Sequence, residues 1–446
     1  MEDLVQQPSK QMEKIQECME FINDSPTPFQ AVENIAKQLK KAGFQHLQES
    51  TSWQLEKGGC YYVTRNSSSI VAFSIGQKVE QLSFNLCASH NDVCTFKIKP
   101  NAVLNKNGYV QLNTEGYGGM LCSTWMDRPL SIAGRIMVEE GQFIRQKLFD
   151  LKQPCCLIPN VAIHMNRGAN EEMKFNKQID MLPLIGLDQK EFDFHQFLAL
   201  KLNLNAKEIS YFDAYLYPAQ TCMVWGQQTE FLSGPRLDDL EMAYATLAGF
   251  LESENQRSVN VYCCFDNEEV GSRTRQGAAS TFLFEVLQRI NDGLRKSSTD
   301  FYEALARSFM VSCDNAHALH PNHPEKSDET NRPLLNQGIV LKFNAAQSYT
   351  SDAYSAAYFT ALCKKAGVKV QSFTNRSDAT GGGTLGNVST TQVSIASVDI
   401  GLAQLAMHST YETAGTFDLL DCIAAMKTFF SHTVCYAENG DFILTN

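Results

Sequence analysis

Long hydrophobic runs are missing from this chain of 446 residues. No segment approaches ~18 uninterrupted apolar residues, which is the length that a membrane-spanning helix requires. Residues 1–29 also lack an apolar core of the length found in signal peptides. From these absences we expect a cytoplasmic protein that does not contact a membrane.

Positive charge and paired cysteine motifs are scarce as well. The chain has 38 Lys and Arg against 49 Asp and Glu, a formal net charge of -11. Such a balance argues against a nucleic-acid-binding surface and favours a soluble protein. Of the fourteen cysteines none forms a CxxC pair, and the doublets Cys155-Cys156 and Cys263-Cys264 lie in apolar runs. We therefore expect reduced cysteines buried in the core rather than disulfides.

The N-terminal part is predicted to contain helices followed by strands. Apolar residues between positions 11 and 43 are spaced by three and four, and the pattern is interrupted at "SPTP". This spacing predicts two helices separated by a proline turn. Strands are then indicated by "CYYVTRNSSSIVAFSIG" and by "LSFNLCASHND", whose last residues are polar.

Residues 100–230 have a different character. Short apolar runs separated by Asn-Gly or Glu-Gly turns are typical of antiparallel hairpins; they read "NKNGYVQLN", "SIAGRIMVEEGQFIRQKLF" and "LIPNVAIHM". One helix is expected near 189–203, and "AYLYPAQTCMVWG" returns to strand. We interpret this segment as an inserted β-rich domain.

From residue 231 onward, predicted helices alternate with apolar strands. The helices are expected at 239–253, 278–291, 351–366 and 416–434, and the strands at "SVNVYCCF", "FMVSCDN", "GIVLKFN", "VKVQSFTN" and "TTQVSIAS". This alternation predicts an α/β fold with a mixed central sheet and helices on both faces. Because one core seldom grows past ~250–300 residues, we expect two domains, a discontinuous one at 1–99 and 231–446 and the insert at 100–230.

Acidic and imidazole side chains occur where the predicted strands end, which is where ligands bind in open α/β sheets. Singly, His90 could be a buried histidine, Asp238 a helix N-cap and Glu269 a solvated acid. Together, their carboxylates would repel one another in a low-dielectric crevice unless a cation were bound. The whole set is His90, Asp92, Asp238, Glu268, Glu269, Asp314 and His408.

The nature of these side chains indicates a catalytic metal site. Two histidines and three carboxylates without a thiolate suit zinc, manganese or cobalt. A carboxylate bridging two ions ~3.5–4 Å apart would leave room for water, as in two-metal hydrolases. Spacing alone leaves the bridge open. The adjacent Glu268 and Glu269 would point to opposite faces of a strand, so we expect them to have two different roles.

Six motifs in order carry a resemblance to a known family: "SHND", "RLDD", "DNEEVGS", "DNAHALHPN", "GIVLKFN" and "LAMHSTYE". With "SPTPFQAVENI" and "YGGMLCSTWMDRPLSIAGRI", the chain closely resembles the M18 metallopeptidases, the aspartyl aminopeptidase family. The resemblance implies a dizinc exopeptidase-like fold with an inserted dimerisation domain. It also implies a dodecameric shell built from dimers.

The resemblance further implies two divalent ions, with zinc favoured over manganese or cobalt. One ion would be held by His90, Asp238 and Asp314, and the other by Asp238, Glu269 and His408. In this assignment Asp238 is the bridge.

Other residues receive catalytic roles from the same resemblance. Glu268 becomes the general base, which takes a proton from the attacking water and passes it to the leaving amine. Asp92 becomes the partner that orients the imidazole of His90. His164, in the predicted insert, would reach a neighbouring subunit's active site and help to polarise the carbonyl, although alone it reads as a half-buried strand histidine.

Four residues are expected to contact the substrate. Lys342 is a charge within an apolar strand, which is costly unless the charge is paired. By resemblance it meets an acidic substrate side chain and Tyr349 lines the same pocket, while His317 and His320 lie near the substrate. An edge-strand lysine is the alternative for Lys342, and one of the two histidines could simply shape the loop.

Three departures from the family adjoin the substrate region. Asp92 is followed by Val-Cys instead of the common serine-proline, Ser348 replaces a common arginine and Asn387 replaces a common proline. The leading hypothesis is a cytosolic aminopeptidase that removes one N-terminal residue, Asp or Glu, from peptides. Two alternatives remain open: a shell-forming or binding protein with reduced turnover, and a dimetal hydrolase of non-peptide amides.

Overall fold

The computed structural model describes residues 3–188, 192–436 and 441–443. The helices in these ranges are α1 (Asp3–Asn23), α2 (Pro28–Lys41), α3 (Phe194–Leu202), α4 (Leu237–Leu251), α5 (Phe282–Gly293), α6 (Ser298–Ala306), α7 (Ala353–Ala366), α8 (Leu385–Thr390) and α9 (Thr416–Ser431). Within the described ranges, no helix combines the length and the apolar character needed to cross a bilayer.

The strands in the same ranges are β1 (Gln45–Leu47), β2 (Cys60–Arg65), β3 (Ser69–Ile75), β4 (Phe84–His90), β5 (Thr95–Lys106), β6 (Tyr109–Tyr117), β7 (Leu130–Glu140), β8 (Phe143–Asp150), β9 (Leu184–Leu187), β10 (Ile209–Pro218), β11 (Met223–Trp225), β12 (Phe231–Gly234), β13 (Val259–Phe265), β14 (Phe309–Cys313), β15 (Ala316–His317), β16 (Ile339–Lys342), β17 (Val370–Phe373), β18 (Ala396–Gly401), β19 (Ala403–Leu405), β20 (Glu412–Gly415), β21 (Cys435–Tyr436) and β22 (Phe442–Ile443).

A nine-stranded sheet forms the centre of the molecule, in the order β1-β2-β3-β13-β4-β14-β18-β16-β17. Strands β13, β4, β14 and β18 are mutually parallel, whereas β2, β3 and β16 introduce antiparallel pairs. The predicted mixed central sheet is therefore confirmed. Every residue of β4, β13 and β14 is buried, which explains why these strands read as continuous apolar runs rather than alternating ones.

Helices cover both faces of this sheet, as the sequence predicted. One buried cluster joins side chains of α1, α2, α4, α7 and α9 to the sheet, and a second joins side chains of α5 and α6 to its other face. Helix α4 is buried from Leu237 to Phe250. The N-terminal pair α1 and α2 is separated at residues 24–27, in agreement with the predicted proline turn.

Two smaller sheets and the two-stranded pair β21-β22 complete the architecture of the described residues. The first is antiparallel, in the order β8-β7-β10-β5-β6-β9, and encloses its own cluster around Phe96, Trp125 and Ile132. The predicted turns at Asn107-Gly108 and at Glu140-Gly141 connect β5 to β6 and β7 to β8. The second sheet has the order β11-β12-β20-β19-β15. The predicted boundary at residue 100 falls inside β5, and the division into domains stays a prediction.

The structure differs from the sequence predictions at two apolar segments. The predicted strand at 390–397 is wrong in position: α8 ends at Thr390, a turn follows in which the amides of Gln392 and Val393 donate to the Ser389 carbonyl, and β18 begins only at Ala396. The run "LIPNVAIHM" forms isolated bridges up to Ile158 and then an exposed turn.

Two helices also need comment. Helix α6 was not predicted, although Ser297 and Asp300 form a capping box at its start. The helix expected near 189–203 is present as α3, while residues 189–191 lie outside the described residues.

Candidate active site

Three adjacent parallel strands bring the predicted residues together at one edge of the central sheet. Strand β4 ends at His90, β14 is followed by Asp314, and β13 leads into a short 3-10 turn that contains Glu268 and Glu269. Because these strands are neighbours with the same direction, their carboxyl ends share one crevice. The expected convergence at the strand ends is observed for these side chains.

Asp238 and His408 reach the same crevice from the five-stranded sheet, not from the central one. Strand β12 leads through Arg236 into α4, and β19 leads to His408; both Arg236 and His408 have a left-handed backbone, with φ of 64° and 66°. The N-cap of α4 is Arg236, so Asp238 is not the capping residue. Glu412 of β20 accepts the amides of Asp238 at 3.0 Å and His408 at 2.8 Å, and so holds both segments.

The first group of potential ligands surrounds Nε2 of His90. This atom lies 3.3 Å from Oδ1 of Asp238 and 3.8 Å from Oδ1 of Asp314. Asp239 belongs to the same group, in which the potential ligand atoms all lie within 4.8 Å of one another. Its Oδ2 also accepts the amide of His90 at 3.0 Å.

The second group surrounds Nε2 of His408, which lies 3.3 Å from Oε2 of Glu269 and 3.4 Å from Oδ2 of Asp238. Cys94 completes this group, since its Sγ lies 3.2 Å from the same Glu269 oxygen. The two oxygens of Asp238 therefore face the two different groups.

This donor set fits divalent metal ions. Nitrogen and oxygen ligands bind zinc at ~2.0–2.2 Å, so donors around one ion stand roughly 3.3–3.6 Å apart in a tetrahedron. Oδ1 of Asp238 and Oδ1 of Asp239 are buried without a hydrogen-bond partner, and an uncompensated buried carboxylate oxygen is costly. A cation between these side chains would satisfy both requirements.

The pKa values reflect the crowding of acids. Among the protein groups alone, burial raises the pKa of Glu268 to about 8 and that of Glu269 to about 7. Burial would also raise the pKa of Asp238, but the neighbouring imidazoles of His408 and His90 outweigh it and lower this pKa. A cation opposes the upward shifts because it favours the ionised carboxylates.

Asp92 links the site to the turn that carries both glutamates. Its Oδ1 accepts the amide of Glu268 at 3.0 Å, and its Oδ2 accepts the amide of Glu269 at 3.1 Å and the hydroxyl of Tyr117 at 2.7 Å. Nδ1 of His90 lies 3.0 Å from the main-chain oxygen of Asp92 and 3.5 Å from its carboxylate. Asp92 thus contacts both the imidazole and the backbone of Glu268 and Glu269.

Lys342, the last residue of β16, is buried beside this site. Its Nζ donates to the main-chain oxygen of Asp314 at 2.9 Å, to Oδ2 of Asp314 at 3.2 Å and to the main-chain oxygen of Asn315 at 3.1 Å. The ammonium also lies 5.1 Å from the ring centre of Tyr349. Burial would lower the pKa of Lys342, but the charge of Asp314 raises it, so the side chain stays a cation.

A cleft of ≈ 610 Å³ opens over these groups. Glu268, His317, Lys342 and Tyr349 line it together with five of the potential ligands, His90, Asp238, Glu269, Asp314 and His408. His320 is exposed, accepts the amide of Asn322 at 3.2 Å and is not among the lining residues. The structure therefore brings His317, but not His320, into the cleft.

His164 lies far from this cleft in the sequence and is not part of its lining. It occupies an exposed turn between β8 and β9, and the apolar side chains of Val161, Ile163 and Met165 around it are exposed by 52%, 46% and 78%. It is neither half-buried nor in a strand.

Comparison with known proteins agrees with this geometry. A family model described as aminopeptidase I zinc metalloprotease (M18) matches residues 21–430. The chain is 46% identical over 423 residues to the "Probable M18 family aminopeptidase 2" of Clostridium novyi (strain NT), covering 93% of this chain and 98% of the relative. This chain belongs to the M18 family. It is a metallo-hydrolase of the aminopeptidase class that acts on peptides, and the resemblance carried by the six motifs is confirmed.

Solved M18 structures have the same fold. A chain in the cryo-EM structure of the Ape4 and Nbr1 complex is 36% identical, with a TM-score of 0.92, and the match covers 95% of this chain and 86% of that one. A chain of the mApe1 dodecamer of S. cerevisiae is 27% identical, with a TM-score of 0.82, covering 94% and 96%. The expected fold class is therefore confirmed.

Sequence reasoning missed four residues that this M18 chain places at the site. Asp239 and Glu412 were present in the quoted motifs "RLDD" and "LAMHSTYE", and the doublet of aspartates was the available signal. Cys94 was noted only as a departure from the family pattern. Nothing in the local sequence marked Tyr117, because its contact with Asp92 joins two strands distant in the chain.

We expect Asp92→Asn to lower kcat by about 10–100-fold, the usual cost of losing a partner that orients a metal site, with little change in KM. An asparagine keeps one acceptor oxygen but places an NH₂ group opposite the amide of Glu268 or Glu269, which needs an acceptor. Steady-state kinetics and metal content measured on the same preparation test this expectation. Asp300→Asn, at the exposed start of α6, is the matched control; unchanged kcat in the Asp92 variant would contradict the positioning role.

Proposed function

We propose that this aminopeptidase removes one N-terminal residue, Asp or Glu, from peptides bound in the cleft, with two divalent ions, zinc foremost. One ion would be held by His90, Asp238 and Asp314, and the other by Asp238, Glu269 and His408. The observation that carries the proposal is the carboxylate of Asp238, whose oxygens lie 3.3 Å from His90 Nε2 and 3.4 Å from His408 Nε2.

When bound, such ions supply Lewis-acid activation of water and of the scissile carbonyl. Glu268 is the candidate base because it lines the cleft beside both groups while its side chain belongs to neither. Its carboxylate would accept the proton of the attacking water and deliver it to the leaving amine. Its backbone is fixed by Asp92, so the carboxylate keeps its place during proton transfer.

Glu268→Gln should retain the fold and two ions per chain while turnover falls by ~10²–10⁴-fold, the usual contribution of general acid–base catalysis. The amide is nearly isosteric with the carboxylate but cannot accept a proton. Rates on aspartyl-nitroanilide and elemental analysis of the same sample test this expectation. Glu303→Gln, on the exposed side of α6, controls for the substitution itself; turnover at the wild-type level in Glu268→Gln would remove Glu268 from its role.

The proposed preference for acidic N-terminal residues rests on Lys342 and Tyr349 in the cleft wall. The ammonium would attract a substrate carboxylate, whereas the apolar ring confines the side chain in the same pocket. All three ammonium donors already have protein acceptors. The attraction is therefore expected to act through the charge more than through a new hydrogen bond.

Lys342→Met should lower kcat/KM for aspartyl-nitroanilide by at least about tenfold relative to leucyl-nitroanilide, because methionine keeps an unbranched side chain without its charge. Lys369→Met, on the segment before β17, is the control. If kcat/KM falls by the same factor for both substrates and bound metal is lost as well, Lys342 only positions Asp314. The acidic preference then depends on other residues.

We also propose a cytoplasmic homo-oligomer, specifically a dodecamer built from dimers, in which His164 completes the active site of a partner subunit. The mApe1 relative is a dodecamer, and the exposed apolar side chains around His164 are typical of an interaction surface. All fourteen cysteines lie in described residues and are free thiols, which suits a reducing compartment.

Mixing inactive Glu268→Gln with inactive His164→Ala should restore activity once subunits exchange, because some sites then combine an intact base with an intact partner histidine. Activity and subunit exchange, followed with two fluorescent labels, are measured together. If subunits exchange but activity does not recover, a shared site is excluded. The control is His195→Ala, on helix α3, which should remain active without mixing.

A further inference from the structure

Cys94 lies beside the proposed ligands Glu269 and His408, at a position that no sequence motif marks as a ligand. It lies two residues after Asp92, immediately before β5, and is half-buried. Its Sγ is 3.2 Å from Oε2 of Glu269, and sulfur, this carboxylate and the imidazole of His408 lie within 4.8 Å of one another. The thiol therefore faces two proposed ligands of one ion.

Three separations around this point match those expected between donors to one ion. Oδ2 of Asp238, Oε2 of Glu269, Nε2 of His408 and Sγ of Cys94 form a set whose measured neighbours are 3.2–3.4 Å apart. Bonds of ~2.0–2.3 Å to oxygen, nitrogen and sulfur place tetrahedral donors ~3.3–3.8 Å apart. Sγ of Cys94 and the imidazole of His408 lie within 4.8 Å of each other, so the sulfur would need to move closer to share the ion.

Two buried carboxylates favour a bound ion at this centre, because the side chains of Asp238 and Glu269 are each 4% exposed and both face the imidazole of His408. The backbone at Gly118 also keeps room for the sulfur, since a Cβ there would lie 2.7 Å from Sγ of Cys94 and 3.2 Å from Cβ of Glu269. An alanine at this position, with its φ of +78°, would push the thiol against its neighbours.

We propose that Cys94, whose thiol releases its proton to solvent when the metal binds, is through its sulfur a fourth protein ligand of the ion held by Asp238, Glu269 and His408. The inference rests on the proposed two-ion function and deepens it. A sulfur donor makes this position softer than the His90 position, where the donors are nitrogen and oxygen. The Cys94 position should therefore prefer zinc over manganese or magnesium, while the His90 position remains the more exchangeable of the two.

The test uses the full chain, stripped of metal by a chelator and loaded with Co²⁺ alone. A sulfur–cobalt bond produces an intense ligand-to-metal charge-transfer band in the near ultraviolet, which nitrogen and oxygen ligands do not give. We expect this band in the wild-type protein. We expect Cys94→Ser to lose it completely and to bind zinc at least about tenfold more weakly at one position, since even outer partners of a metal contribute ~10–100-fold.

Cys60→Ser is the matched control, because Cys60 is also half-buried but belongs to β2 of the central sheet, away from the cleft; this variant should keep the band. If Cys94→Ser fails to fold, the wild-type spectrum still decides. Two bound cobalt ions without a charge-transfer band would overturn the proposal. A band that persists in folded Cys94→Ser would overturn it as well.

The outcome separates this inference from the function on which it rests. Aminopeptidase activity with two ions per chain and no sulfur band refutes only the role of Cys94. A band with a single ion per chain supports the sulfur ligand but refutes the pair of ions. Absence of both bound cobalt and activity refutes the proposed function and the sulfur ligand together.

Discussion

Mutual repulsion among buried carboxylates is the constraint on which the rest of this structure depends. Asp238, Asp239, Glu269 and Asp314 approach one another in a crevice between two sheets, where charges are poorly screened. The protein supplies nearby positive charge through Lys342 and two imidazoles, yet oxygens of Asp238 and Asp239 still lack partners. This arrangement fits a bound metal, whose charge would balance these acids as well as supply chemistry.

The backbone that carries these acids is fixed by two further acids. Glu412 accepts the amides of Asp238 and His408, and Asp92 accepts the amides of Glu268 and Glu269. Glu412 thus joins the segments that carry Asp238 and His408, and Asp92 fixes the turn that carries Glu268 and Glu269. Carboxylate-to-amide bonds are among the stronger hydrogen bonds of proteins, which keeps the irregular segments in one geometry. The positions of the reactive side chains consequently depend on residues that do not need to touch the substrate.

The sequence was sufficient for features with local signals. Buried parallel strands gave apolar runs, polar residues marked their carboxyl ends, and the mixed central sheet followed. It could not reveal that Asp238 and His408 arrive from a separate five-stranded sheet, because that sheet depends on the pairing of β12 with β20, which lie far apart in the chain. The strand predicted at 390–397 was wrong in position because Val393 and Ile395 are buried before β18 begins. Their apolar character reflects packing and not an extended backbone. Residues such as Tyr117 act only through a tertiary contact.

Charge balance also constrains how substrate selectivity can evolve at this site. Lys342 neutralises Asp314, which is itself a proposed ligand. Its three N–H groups all donate hydrogen bonds to Asp314 and Asn315. Its charge can therefore influence a substrate in the cleft only while it stabilises the metal centre. Removing that charge to relax selectivity would leave Asp314 less compensated. Tyr349 and the loop residues of the cleft can change without this consequence, so selectivity can vary at those positions more freely than at Lys342.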